Sequence, residues 1–147
     1  MTRTAISYLI ETHDAMRDRY IEHCVAHACA IAELLVTEGR AAWIARLREV
    51  VVTNDGEFHA PLIPKRFTGA NALTWNTHYV ACADNEAFDP ILGEPIAIDA
   101  FALAVFGRDV PIETHLDAAE TKRLIAAGAL RRAFPPHSRR TLAGSAK

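Results

Sequence analysis

The 147-residue chain reads as an α+β domain in which N-terminal helices, one of them buried at the centre, pack on an antiparallel sheet. Three stretches carry that expectation. From Cys24 onward, Val25, Ala28, Ile31, Ala32, Leu34 and Leu35 fill almost the whole circumference of an alanine-rich helix, and a helix that is apolar all round belongs in a core. From Ala42 to Val52 the pattern switches to period two, with Arg46 and Arg48 on one face, as a strand requires. His78 to Pro90 reads as a hairpin: His78 to Cys82 alternate, Asp84-Asn85-Glu86 carries turn-forming side chains, and Phe88-Asp89-Pro90 opens a return strand that proline must soon end.

The remaining elements follow from local signals. Ile6, Leu9, Ile10, His13, Met16 and Tyr20 recur at helical spacing behind Thr4, which is placed to cap them. Gly39 supplies the left-handed residue that ends the central helix. Asn54-Asp55-Gly56 turns the first strand sharply. Pro61 and Pro64 then break the chain before the loop Thr68-Gly69-Ala70-Asn71-Ala72, which leads into the strand opened by Trp75 and His78. Beyond the hairpin, Gly93 and Pro95 make a turn, Asp99 caps a short helix from Ala100 to Phe106, and Gly107 ends it. A last helix runs from Asp117 to Ala127. One domain is expected over residues 1–130. A basic, flexible tail follows over 131–147, because Arg131, Arg132, Arg139, Arg140 and Lys147 come after the last acidic residue, Glu120, and Pro135-Pro136 precedes small polar residues.

Composition narrows the function classes. Half the residues are apolar and 23% are charged, which suffices for one core. A net charge of -2 argues against a dedicated nucleic-acid binder. No apolar run approaches the roughly 18 residues a membrane helix needs, and Thr2 to Asp18 lacks the layout of a signal peptide. Three cysteines, an odd number in no metal-type spacing, predict a free thiol in a reducing compartment. The cytoplasm is expected, or export without an N-terminal signal.

The chemistry gathers at the hairpin and at Cys24. Facing positions on paired strands lie about 5 Å apart, which puts His78 beside Asp89. A histidine held by a carboxylate is a base, and Cys24, in the first turn of the central helix, is its nucleophile. The partial positive charge and unbonded amides of a helix start stabilise a thiolate, a nearby imidazole strengthens that effect as an ion pair, and a carboxylate on the far ring nitrogen fixes tautomer and orientation. The same amides donate to an oxyanion once the thiolate attacks a carbonyl. Asp84 is the rival orienting acid, but its place at the hairpin tip suits a solvated turn. Cys29 and Cys82 read as core thiols, Trp43 as core, and Trp75 as core or as a wall of the cleft beside His78. Zinc is a poor alternative: in Cys24-x-x-His27 with His78-x-x-x-Cys82, the two strand residues sit about 13 Å apart, too far for one ion with bonds of about 2.0–2.3 Å. Neither a metal nor a cofactor is expected.

The order of Cys24 opening an alanine-rich helix, then His78-Tyr79-Val80, then Asp89-Pro90 with Gly93 after it, resembles the papain-like cysteine hydrolases. The similarity is to the bacterial branch of leader-peptide proteases and transglutaminase-like cysteine proteases, and it spans roughly Ile21 to Phe106. It implies a papain-like core and a Cys24/His78/Asp89 triad, with Asp-Pro on the strand after the histidine. It further implies thiol-mediated acyl transfer on a peptide or protein amide. A protein-glutamine deamidase, a transglutaminase-like effector, or an inactive binding or scaffold protein of the same fold are the alternatives. Two departures stand out. Val25 follows the cysteine where glycine is usual, and the chain contains no glutamine, the residue many members place before the cysteine for the oxyanion hole. His23, Asn71, Asn76, Trp75 or backbone amides are the candidates to line the oxyanion and substrate side.

Overall fold

A computed structural model describes residues 3–67, 69 and 72–135. Asn71 and the tail from residue 136 onward lie outside the described residues.

Helix α1 spans Ala5–Ala15 behind a reciprocal cap in which Thr4 accepts from the Ser7 amide and Ser7 accepts from the Thr4 amide. Its buried face is Ala5 and Leu9, and the chain leaves the helix before Met16 and Tyr20. The apolar periodicity therefore overran the helix, and Ile6 and Ile10 face solvent. Helix α2, Cys24–Thr37, is the buried central helix. It ends in a Schellman turn: Gly39, at φ 80°, donates to Val36, and Arg40 donates to Leu35.

The period-two stretch after α2 is two strands rather than one. Strand β1, Trp43–Leu47, enters the main sheet, whereas β2, Val50–Thr53, swings out to pair with β3, Gly56–His59, in a separate hairpin. Arg46 and Arg48, from one face, both bond Glu113, at 2.7 and 2.9 Å. The corner that follows is held by Ala60 N–H donating to the Glu49 carbonyl. Strand β4 is His78–Ala83 and β5 is Glu86–Phe88, joined through Asp84 and Asn85, both left-handed at φ 54° and 64°. That is the mirror-image two-residue turn whose twist matches a hairpin.

Besides β3, two strands escaped the sequence reading. One is the short β6, Ile96–Ala97. The other is β7, Ile112–Leu116, whose Glu-Thr-His interior shows little apolar alternation because it lies at an edge. Helix α3 covers Ile98–Phe106 and is closed by Gly107 at φ 75°. Its N-cap is Ala97, so Asp99 lies in the first turn and does not cap. Helix α4 is Ala118–Ala126, and Asp117, read from the sequence as its first residue, instead caps it by accepting from the Glu120 amide. A 3-10 turn at Leu130–Ala133 follows, and Phe134 is buried against the rings of Tyr79 and His115. The packed domain thus continues past the expected boundary at Arg131.

The five-stranded sheet has the order β6-β5-β4-β1-β7 and every pairing in it is antiparallel. All six residues of β4 are buried, because both sheet faces are covered. On one face Tyr79, Ala81 and Ala83 pack with Cys24, Ala28, Ile31, Ala32 and Leu35 of α2. On the other, Val80 and Cys82 pack with Phe101, Val105 and Phe106 of α3 and with Leu62 and Phe67. Alternation along β4 therefore sorts residues between two cores. Among the described residues no helix is long and apolar enough to cross a membrane.

Candidate thiol site

The chain enters α2 through Glu22, held at φ 64°, and His23, the extended N-cap residue at φ -137°. A non-glycine residue in the left-handed region is strained, and here that strain turns the backbone so that Cys24 takes the first helical position. The approach is pinned by His27, one turn further on. Its Nε2–H donates to the Ile21 carbonyl at 2.7 Å, and its Nδ1 accepts from the Tyr8 hydroxyl at 3.0 Å. Burial pushes the His27 pKa down, which keeps this doubly bonded ring neutral. His27 is thus an interior strut, and both of its nitrogens are occupied.

His78 opens β4 opposite Leu47 at the end of β1. The β4–β5 ladder pairs Ala81 with Phe88 and Ala83 with Glu86. Carried outward, that register sets Asp89 opposite Val80, so the carboxylate meets His78 along the diagonal and not face to face. The contact is short, 2.5 Å from His78 Nε2 to Asp89 Oδ2, while Oδ1 accepts from the Ile91 amide at 3.0 Å. Both side chains are buried, His78 completely. Arg66 clamps the segment after Asp89 onto the end of α1 by donating to the carbonyls of Met16 and Ile91. Gly93 allows the close approach, since a Cβ there would lie 2.9 Å from the His13 ring.

Aromatic rings enclose the imidazole. Trp75 stacks on it with centroids 4.0 Å apart and planes 21° apart, Phe101 lies parallel at 6.3 Å, and Phe106 meets it edge-on at 6.2 Å. Such burial by itself lowers the pKa of a histidine. The charge of Asp89, then that of Cys24, together with the hydrogen bond to Asp89, outweighs it and pushes His78 up to about 10. Nε2 is committed to Asp89, whereas Nδ1 is buried and makes no hydrogen bond of ordinary geometry. One nitrogen is therefore anchored by the carboxylate, and the other has no partner among the described residues.

The structure brings His78 and Asp89 into direct contact and sets Cys24 near enough for its charge to act on the His78 ring. Asp84 is exposed at the hairpin tip and pairs with Arg40 at 2.7 Å. Trp75 belongs to the site as the ring that covers the imidazole, fixed by backbone bonds to Leu62 of 2.8 and 2.9 Å. His23 stands at the helix entrance with Nε2 3.4 Å from the Arg131 guanidinium, and Asn76 is exposed on the bend before β4. Cys29 and Cys82 sit in the cores, where burial pushes Cys29 up to about 11 and Cys82 further still. Tyr20 was missed. Read as the last apolar position of α1, it instead lies beyond that helix, with its ring edge-on to Trp75 at 5.3 Å and to His27 at 5.5 Å. Nothing in the sequence distinguished it from a core aromatic.

No protein-family model, no curated protein and no solved structure matches this chain.

Proposed function

We propose that the protein is a papain-like cysteine hydrolase that transfers the acyl group of a peptide or side-chain amide to water. The observation that carries this reading is the buried His78–Asp89 pair, whose unpaired Nδ1 is coupled to the thiol at the start of α2. A structural histidine has no need of a carboxylate on one nitrogen and an orphaned second nitrogen, since buried polar groups are otherwise satisfied.

In the reaction the Cys24 sulfur attacks the amide carbon, forming a C–S bond while the carbonyl electron pair moves to oxygen. Collapse breaks the C–N bond, and His78 delivers the Nδ1 proton to the departing nitrogen. Water then attacks the thioester, giving a proton back to His78, and the thiolate leaves. Asp89 keeps Nε2–H oriented throughout and stabilises the imidazolium. The aromatic cage excludes water, which strengthens each charge interaction inside it.

The enclosure of the three side chains favours one second reading, a binding or scaffold protein that has kept the fold without turnover; Cys24 is only 8% exposed. Iodoacetamide separates the two. An activated thiolate alkylates at Cys24 near pH 6 well before Cys29 or Cys82, as peptide mass mapping would show. Alkylation of Cys24 no faster than the two core thiols removes the hydrolase reading.

A further inference from the structure

Two buried side-chain polar atoms lack a hydrogen-bond partner among the described residues, and both are at this site: His78 Nδ1 and the Tyr20 hydroxyl. Burying a hydroxyl without a partner is unfavourable, so an orphan held in place by packing calls for a use. The Tyr20 ring is held among three aromatic neighbours. The Tyr20 ring meets Trp75 edge-on at 5.3 Å, and Trp75 is the ring stacked on His78. A second edge contact, at 5.5 Å, is to His27, which lies one turn along α2 from Cys24, and a third, at 6.3 Å, is to Phe67.

Resting on the thiol-hydrolase reading, we infer that the Tyr20 hydroxyl donates to the oxyanion formed when Cys24 attacks a carbonyl, the place for which this chain has no glutamine. A donor there must keep its proton while negative charge gathers around it. Burial first, then the charges of Asp89 and Cys24, push the phenol well above its ordinary range, so it stays protonated. With its proton unspent, the hydroxyl has no hydrogen bond to break when the oxyanion appears, which is the preorganisation such sites exploit. The backbone amides at the start of α2 supply the complementary donors.

The test uses Tyr20→Phe, which retains the ring contacts and removes only an unpaired oxygen, so the folded state is not threatened. Two probes divide the chemistry. Iodoacetamide alkylates sulfur by direct displacement and forms no oxyanion, whereas p-nitrophenyl acetate acylates it through one. Relative to wild type, Tyr20→Phe alkylates at Cys24 within about twofold, while its Cys24-dependent burst of p-nitrophenolate slows by about 10²-fold, the usual loss for one oxyanion donor. An unchanged burst overturns the inference. Equal slowing with both probes also overturns it, because Tyr20 then acts on the Cys24–His78 pair itself. A wild type with no burst above Cys24→Ala removes the hydrolase reading and this inference with it.

Discussion

Replacing Asp89 with asparagine isolates the charge that holds His78. Asp89→Asn keeps the side-chain shape and an acceptor for the Ile91 amide, and it deletes the negative charge 2.5 Å from Nε2. In the wild type the His78 pKa is raised from 6.5 to about 10. A group raised on folding stabilises the fold fully below its unfolded value and loses that contribution as pH climbs through the folded one. The window is therefore pH 6.5 to about 10. Because His78 is completely buried, solvent does not screen the pair, and removing one partner of a buried ion pair costs about 3–5 kcal/mol. Urea unfolding of both proteins should show a gap of that order at pH 6, narrowing steadily and nearly closed at pH 10. Ring-nitrogen NMR should show His78 protonated at pH 7 in the wild type. In the variant its pKa should fall toward or below 6.5, as burial acts without the carboxylate to oppose it. A gap that stays constant across the range, or a neutral His78 at pH 7 in the wild type, refutes the argument.

Alkylation of Cys24 ahead of Cys29 and Cys82, and the split between alkylation and acylation in Tyr20→Phe, test the site as described above. Phe134→Ala should destabilise the protein by about 3–4 kcal/mol in denaturant titration, as for a core phenylalanine; a change within 0.5 kcal/mol would put this residue in the tail. Gly39→Ala should cost about 1–2 kcal/mol from backbone strain alone, since φ is 80° and no atom lies within 4 Å of the added Cβ, and thermal unfolding would measure it.

Much of the scaffold was legible because short-range rules govern it. Apolar density around the whole circumference marked α2 as buried, Gly39 marked its end, and Asp84-Asn85 marked the hairpin turn, each through backbone conformation or burial decided within a few residues. The polar edge strand β7 was invisible for the converse reason. Its pairing with β1 joins positions such as Arg46 and Glu113, which are far apart in the chain, and its own pattern lacks the alternation that one buried face imposes. The split of the stretch from Ala42 to Val52 was hidden for a similar reason, since period two continues through a corner made by distant partners.

The candidate site divides along the same line. Sequence order alone nominated Cys24, His78 and Asp89, because a helix start, a strand start and a residue next to a proline are local facts with chemical consequences. Tertiary structure decided what surrounds them. It set the diagonal register that aims Asp89 at Nε2, and it stacked Trp75 on the imidazole. It also buried His27 and engaged both its nitrogens, which leaves that ring a structural part. Above all, it carried Tyr20 past the end of α1 and left its hydroxyl unpaired beside the pair. Periodicity assigns a side chain to an interior but says nothing of which partners it meets there, and whether a buried hydroxyl is satisfied depends on contacts between segments distant in the chain.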